Sequence, residues 1–170
     1  MCYFLYLASP LTLSEVRSML PAGLTADLAS LPDQQTLKAL HPPTQTVIRI
    51  LAGRCSCDLI RRRLDDPRED ERHLRERYRG LKIPRAATIT ALERHRRPAP
   101  VRPHADWCGR LAEFVAEHAR NAGPSIYYLQ FSAGSGGLRP LGQPARLTVS
   151  AVAAGPTGWL QEGLPALVTR

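Results

Sequence analysis

Four cysteines carry most of the chemistry this chain can offer: Cys2, Cys55, Cys57 and Cys108. Cys55 and Cys57 stand one residue apart in "ILAGRCSCDLI", where an apolar run meets the arginines of "IRRR". In a continuing strand both side chains point to one face, about 6.5–7 Å apart over two residues. That is too wide for both sulfurs to reach one ion at about 2.3 Å. Gly53 can supply a turn that closes the gap. With it, Cys55 and Cys57 join Cys2 and the pair His104 and Cys108, spaced four apart in "HADWC", in a thiolate-rich site for Zn²⁺ or Cu(I). Without it, Cys55, Cys57 and Leu59 line a strand face as small buried groups, a common setting for free cysteine. The strand face is the expectation, and the metal site is the alternative.

Cys108 and Cys2 each suggest a second chemistry. If Asp106 caps a helix, Cys108 falls in its first turn, where the positive helix end favours thiolate. "ADWCG" resembles the start of a thioredoxin-type active-site turn, which implies thiol exchange at Cys108. The second cysteine of that family falls at Leu111 here, and no apolar strand leads into the segment. A core Trp107 beside a structural thiol is therefore expected. The opening "MC" before a strand resembles the class II amidotransferases. That resemblance implies Cys2 as an N-terminal nucleophile, with its own amine as base once Met1 is removed. The family's Asn-Gly oxyanion element has no counterpart, since the single asparagine, Asn121, precedes Ala122.

Other signals are weak. The five histidines (41, 73, 95, 104, 118) show no HxH or HExxH spacing. His118 lies on the apolar face of a helical pattern and reads as a core residue. "SAGSGG" (132–137) leads into "LRPLGQP", which is no helix start, so it reads as a connection and not a phosphate loop.

Charge is concentrated. The net +8 comes from 23 Lys+Arg against 15 Asp+Glu. Residues 54–103 hold 15 of these basic and 8 of the acidic residues, a net of +7. A local basic patch is what polyanion contact needs. Arg85, Arg94, Arg96 and Arg97 are the candidate phosphate contacts. The segment "LRERYRGLKIPRAATITALERHRR" distantly resembles a helix-turn-helix, which implies DNA contact from a helix starting near Thr88-Ile89. Gly80 lies about three residues too far before Thr88 for the usual compact turn. The leading expectation is a small non-catalytic binding or accessory domain. Its Arg-rich helices meet an acidic partner: nucleic acid, protein or anionic membrane surface. The cysteine site, holding zinc or acting as a thiol centre, comes second. The Cys2 hydrolase comes third.

These groups need a scaffold. The pattern predicts a single α+β domain over 1–170: a mixed sheet of about four to five strands, helices packed on a face, and an Arg-rich helical insertion. "CYFLYLA" (2–8), "TVIRILA" (46–52) and "SIYYLQF" (125–131) are apolar on both faces and read as buried strands. "RLTVSAV" (146–152) alternates as a half-buried strand, and the tail adds an edge strand. Thr12 and Glu15 form a capping box at a helix start. Further helices are expected at 25–31, 33–40, 68–81, 84–97 and 106–120, with a Pro-rich connector at 98–103. No stretch approaches about 18 consecutive apolar residues. A cytoplasmic chain with reduced cysteines is expected.

Overall fold

The computed structural model describes residues 2–60, 67–96, 107–132, 137–155 and 158–170. Six strands form one mixed sheet: β1 (Cys2–Ser9), β2 (Leu24–Leu28), β3 (Thr46–Ala52), β4 (Ser125–Ser132), β5 (Ala145–Thr148) and β6 (Ala166–Thr169). Their order is β2-β3-β1-β4-β6-β5, antiparallel throughout except for the parallel pair β5 and β6. The helices are α1 (Leu13–Met19), α2 (Leu31–Leu40), α3 (Cys57–Ile60), α4 (Pro67–Gly80), α5 (Arg85–Arg96), α6 (Trp107–Ala122) and α7 (Val149–Ala154). The α+β class holds, with six strands where four to five were expected. The chain divides into two compact units, residues 1–61 with 106–170 and residues 62–105. No described helix is long and apolar enough to cross a membrane.

β1 lies in the middle of the sheet, which explains its apolar residues on both faces. Its alternate residues feed two cores. Leu5 and Leu7 join Ile48, Ile50, Tyr127 and Leu129 beneath Leu111, Phe114 and Val115 of α6, Val16 of α1 and Val152 of α7. Tyr6 and Ala8 join Val47, Ile126 and Tyr128 against Leu37 of α2 and Leu138. Each such aliphatic side chain, once fully buried, contributes roughly 1.5–3 kcal/mol against its exposed state. The predicted capping box is present. Thr12 Oγ1 accepts from the Glu15 N–H at 3.3 Å, and Glu15 Oε2 accepts from the Thr12 N–H at 2.8 Å.

Three local expectations fail for physical reasons. Residues 25–31 were expected to be helical, but Leu24–Leu28 is edge strand β2, paired to β3 alone. Its Leu and Ala residues favour helix intrinsically, and pairing with β3 overrides that preference. The segment 146–152 is strand only to Thr148. Thr148 Oγ1 then accepts from the Ala151 N–H at 3.2 Å and caps α7. The tail strand is not an edge: β6 sits between β4 and β5, leaving β5 outermost.

His118 is a core residue, as expected, but a polar one. Ser9 Oγ lies 2.8 Å from its Nε2 and the Tyr127 hydroxyl 3.2 Å from its Nδ1. The fully buried ring thus ties the end of β1 to α6 and β4.

In the second unit, α4 and α5 form a helical pair joined by residues 81–84. Leu74 and Tyr78 are buried, whereas Leu81, placed on the same stripe by its spacing, is 47% exposed. α4 ends at Gly80, and the residue that turns the chain away follows two positions later. Lys82 takes the left-handed conformation at φ 54°, and the Ile83 N–H returns to the Tyr78 carbonyl at 3.0 Å. That 6→1 closure is the usual way to satisfy a helix end.

Candidate metal centre

The site grows out of a mismatch in length between two neighbouring strands. β1 and β3 run antiparallel, and Leu5 opposite Ile50 is their last pair toward the start of β1. β1 continues back to Cys2, while β3 stops at Ala52. Gly53 has φ 79°, a conformation that side chains resist, and it reverses the chain there. The Ala52 N–H donates to the Cys55 carbonyl at 2.9 Å, closing a tight turn. Cys55 and Cys57 therefore do not lie along a strand. The chain turns, as the alternative required, and Cys57 opens α3.

The turn then docks on the exposed stretch of β1 in place of the missing β3 residues. The Ser56 N–H donates to the Tyr3 carbonyl at 2.9 Å. Ser56 Oγ accepts from the Leu5 N–H at 2.8 Å and donates to the Ile50 carbonyl at 2.6 Å. The Tyr3 N–H donates to Cys57 Sγ at 3.4 Å. Backbone groups that would be orphaned inside the sheet are thereby satisfied.

The result gathers three thiols. The sulfur atoms of Cys2, Cys55 and Cys57 all lie within 4.8 Å of one another, and all three residues are partly buried. Two sulfurs on one tetrahedral ion at about 2.3 Å stand about 3.8 Å apart, so small rotations suffice to converge them.

Their protons are unevenly held. The Cys57 thiol donates toward Cys55 and lowers the Cys55 pKa to about 6, against the opposing effects of burial and Asp58. The same hydrogen bond, followed by burial, pushes Cys57 far up. Burial first, then the charge on Cys55, raises Cys2. Near neutral pH the cluster thus holds one thiolate beside two retained protons. A second or third negative charge forms readily only when a cation takes the place of those protons. The N–H donated to Cys57 Sγ is the kind of outer contact that orients and stabilises a ligating thiolate.

Of the residues expected as ligands, Cys55 and Cys57 come together. Cys108 does not join them: it is buried in the first turn of α6 and donates its thiol hydrogen to the Leu59 carbonyl at 3.5 Å. His104 and the proposed cap Asp106 lie outside the described residues. Cys2, which the metal reading adds to the CxC pair, does join the cluster as a potential ligand. Antiparallel pairing of "CYFLYLA" with "TVIRILA" brings the start of the first beside the end of the second. Ser56 was missed, because its role is set by the backbone groups it meets.

Among the polyanion candidates, Arg85 is exposed at the start of α5. Arg94 and Arg96 belong to α5, but their side chains fall outside the description, as does Arg97 altogether.

Ser56 supplies the first test of this architecture. Ser56→Ala removes one buried acceptor and one buried donor together. It is expected to destabilise the protein by roughly 2–6 kcal/mol, at about 1–3 kcal/mol for each of the two orphaned groups. Urea unfolding measures it; a loss below about 0.5 kcal/mol would show that water replaces the hydroxyl.

Comparisons with protein-family models, with curated proteins and with solved structures find no match.

Proposed function

We propose that the protein is a thiophilic metal-binding domain in which Cys2, Cys55 and Cys57 hold Zn²⁺ or Cu(I). The observation that carries this reading is the convergence of three sulfurs within 4.8 Å from two separate parts of the chain. Soft thiolate donors select such ions over Mg²⁺ or Ca²⁺. Three sulfurs complete a trigonal site for Cu(I). For Zn²⁺ they leave one of its four positions to another group or to water. When bound, the ion supplies the positive charge that stabilises three adjacent thiolates. The chain's own contribution is the Gly53 turn, the Ser56 clamp and the Tyr3 N–H at Cys57.

The test uses Co²⁺ as a coloured stand-in for Zn²⁺. Reduced protein should bind one equivalent with thiolate-to-cobalt charge-transfer absorption, and Zn²⁺ should displace it. Cys55→Ser and Cys57→Ser should lose that absorption, while Cys108→Ser should keep it. Bound metal should also slow alkylation of the three clustered cysteines. Absence of cobalt, zinc and Cu(I) binding at micromolar concentration would sink the proposal. So would an equal loss from Cys108→Ser.

A second reading, contact with an acidic partner through the Arg-rich helices, is supported by the net +7 of residues 54–103 and by a cleft in the helical unit. Arg75, Arg79 and Arg85 line that cleft with Ile83 and Thr88.

A further inference from the structure

The cleft between α4 and α5 has a volume of about 280 Å³ and brings arginines from both helices to one place. That is close to the lower end, about 300 Å³, of sites that hold small molecules. The three arginines are not equivalent. Arg75 is committed within its own helix: its Nη2 lies 2.6 Å from Glu71 Oε1, and its Nε donates to the same oxygen at 3.1 Å. Arg79 and Arg85 make no ion pair among the described residues. They stand on either side of the turn formed by residues 81–84, and Ile83 of that turn also lines the cleft.

Two guanidinium groups at one cleft, with no carboxylate partner among the described residues, are an incomplete pairing. A single carboxylate, with two oxygens in one plane, can be matched by one guanidinium fork. A phosphate group offers more oxygens in a tetrahedral arrangement and can accept from two planar forks at once. We propose that this cleft is a phosphate site in which Arg79 and Arg85 bind the phosphate oxygens, with Arg75 held alongside by Glu71 as a third positive charge. This rests on the acidic-partner reading and names the chemistry of that partner: a phosphoester, from a small ester or from a nucleic-acid backbone.

The experiment measures binding of three probes to the full chain at low salt. They are adenosine 5′-monophosphate, a single-stranded oligonucleotide lacking terminal phosphates, and polyglutamate. Each is titrated against the unaltered protein, Arg79→Gln/Arg85→Gln, and Arg139→Gln/Arg146→Gln. The last removes the same charge from exposed positions in the other unit. The expected result is that a phosphate probe binds and that the cleft variant weakens it by about tenfold or more, as for two lost charge-assisted contacts. The control variant should change it less than about twofold. Binding of the mononucleotide identifies a terminal phosphate as sufficient; binding of the oligonucleotide alone identifies backbone phosphates. Both support the site. The oligonucleotide should also lose about two units of salt slope in the cleft variant. Equal weakening in both variants would overturn the proposal in favour of diffuse charge. Binding of polyglutamate without either phosphate probe would overturn it while preserving the broader acidic-partner reading. Binding of none of the three would remove both.

Discussion

Zinc at a thousandfold excess over its dissociation constant is expected to raise the free energy of unfolding by about 4 kcal/mol, the gain for a ligand that binds only the folded state. The three ligands come from the start of β1 and from the turn beyond β3, so the ion joins segments that are far apart in the unfolded chain. Cys57→Ser should abolish nearly all of this gain, because it removes the sulfur that the Tyr3 N–H orients. The proton count gives a sharper measure. Cys55 has a pKa lowered to about 6 and is already ionised at pH 7.5, whereas Cys2 and Cys57 are shifted upward. Binding should therefore release about two protons, and affinity should rise roughly a hundredfold per pH unit between 7 and 8. Calorimetry in buffers of different ionisation enthalpy reads the count directly. Release of three protons would mean that Cys55 is not the resident thiolate, and no stabilisation by zinc would remove the site.

The second large effect is an acid-labile core. Burial lowers the His118 pKa to about 4, against an ordinary value of about 6.5. The folded state therefore binds this proton less readily than the unfolded state. Stability is full above pH 6.5 and is lost as pH falls toward 4. The total loss is on the order of 3 kcal/mol, at about 1.4 kcal/mol per unit. Carboxylates contribute their own acid slope, so a variant isolates the histidine. His118→Leu orphans the Tyr127 hydroxyl and should cost about 1–3 kcal/mol at pH 7. Ser9 Oγ still accepts from the Leu11 N–H at 3.0 Å. The variant should nevertheless show a flatter stability profile between pH 6.5 and 4.5 by urea unfolding. Parallel profiles would mean that the ring is protonated in the fold or reached by water.

The parts of the fold legible in the sequence were those where several physical signals agreed. "CYFLYLA", "TVIRILA" and "SIYYLQF" are apolar on both faces because each strand has sheet neighbours on both edges and cores above and below. The Thr12 capping box is a local device, so its spacing alone revealed it. β2 was hidden because an edge strand needs only one apolar face, and "LTADL" satisfies that with Leu24 and Ala26 while Thr25 and Asp27 stay exposed. α7 was hidden because the alternation of "RLTVSAV" runs unbroken through the strand-to-helix change at Thr148. The metal centre was legible only in part. The CxC spacing pointed to Cys55 and Cys57, and Gly53 pointed to the turn. Cys2 enters through strand register, a long-range property that no local spacing reports.

The contact between Cys108 and Leu59 bears on how the chain tolerates its inserted helices. α3 ends at Ile60 and α6 begins at Trp107, and the Cys108 thiol donates to the Leu59 carbonyl across that interval. The sheet unit thus leaves off and resumes at nearly one point. To the sheet unit, residues 62–105 are a single closed excursion. The entropic cost of such an excursion grows only logarithmically, about 0.6 kcal/mol for each doubling of length. The sheet unit is therefore nearly indifferent to how long that excursion is. Its sequence is correspondingly free to acquire charge, lengthen or shorten without disturbing the three thiols, which all lie on the other side of the junction.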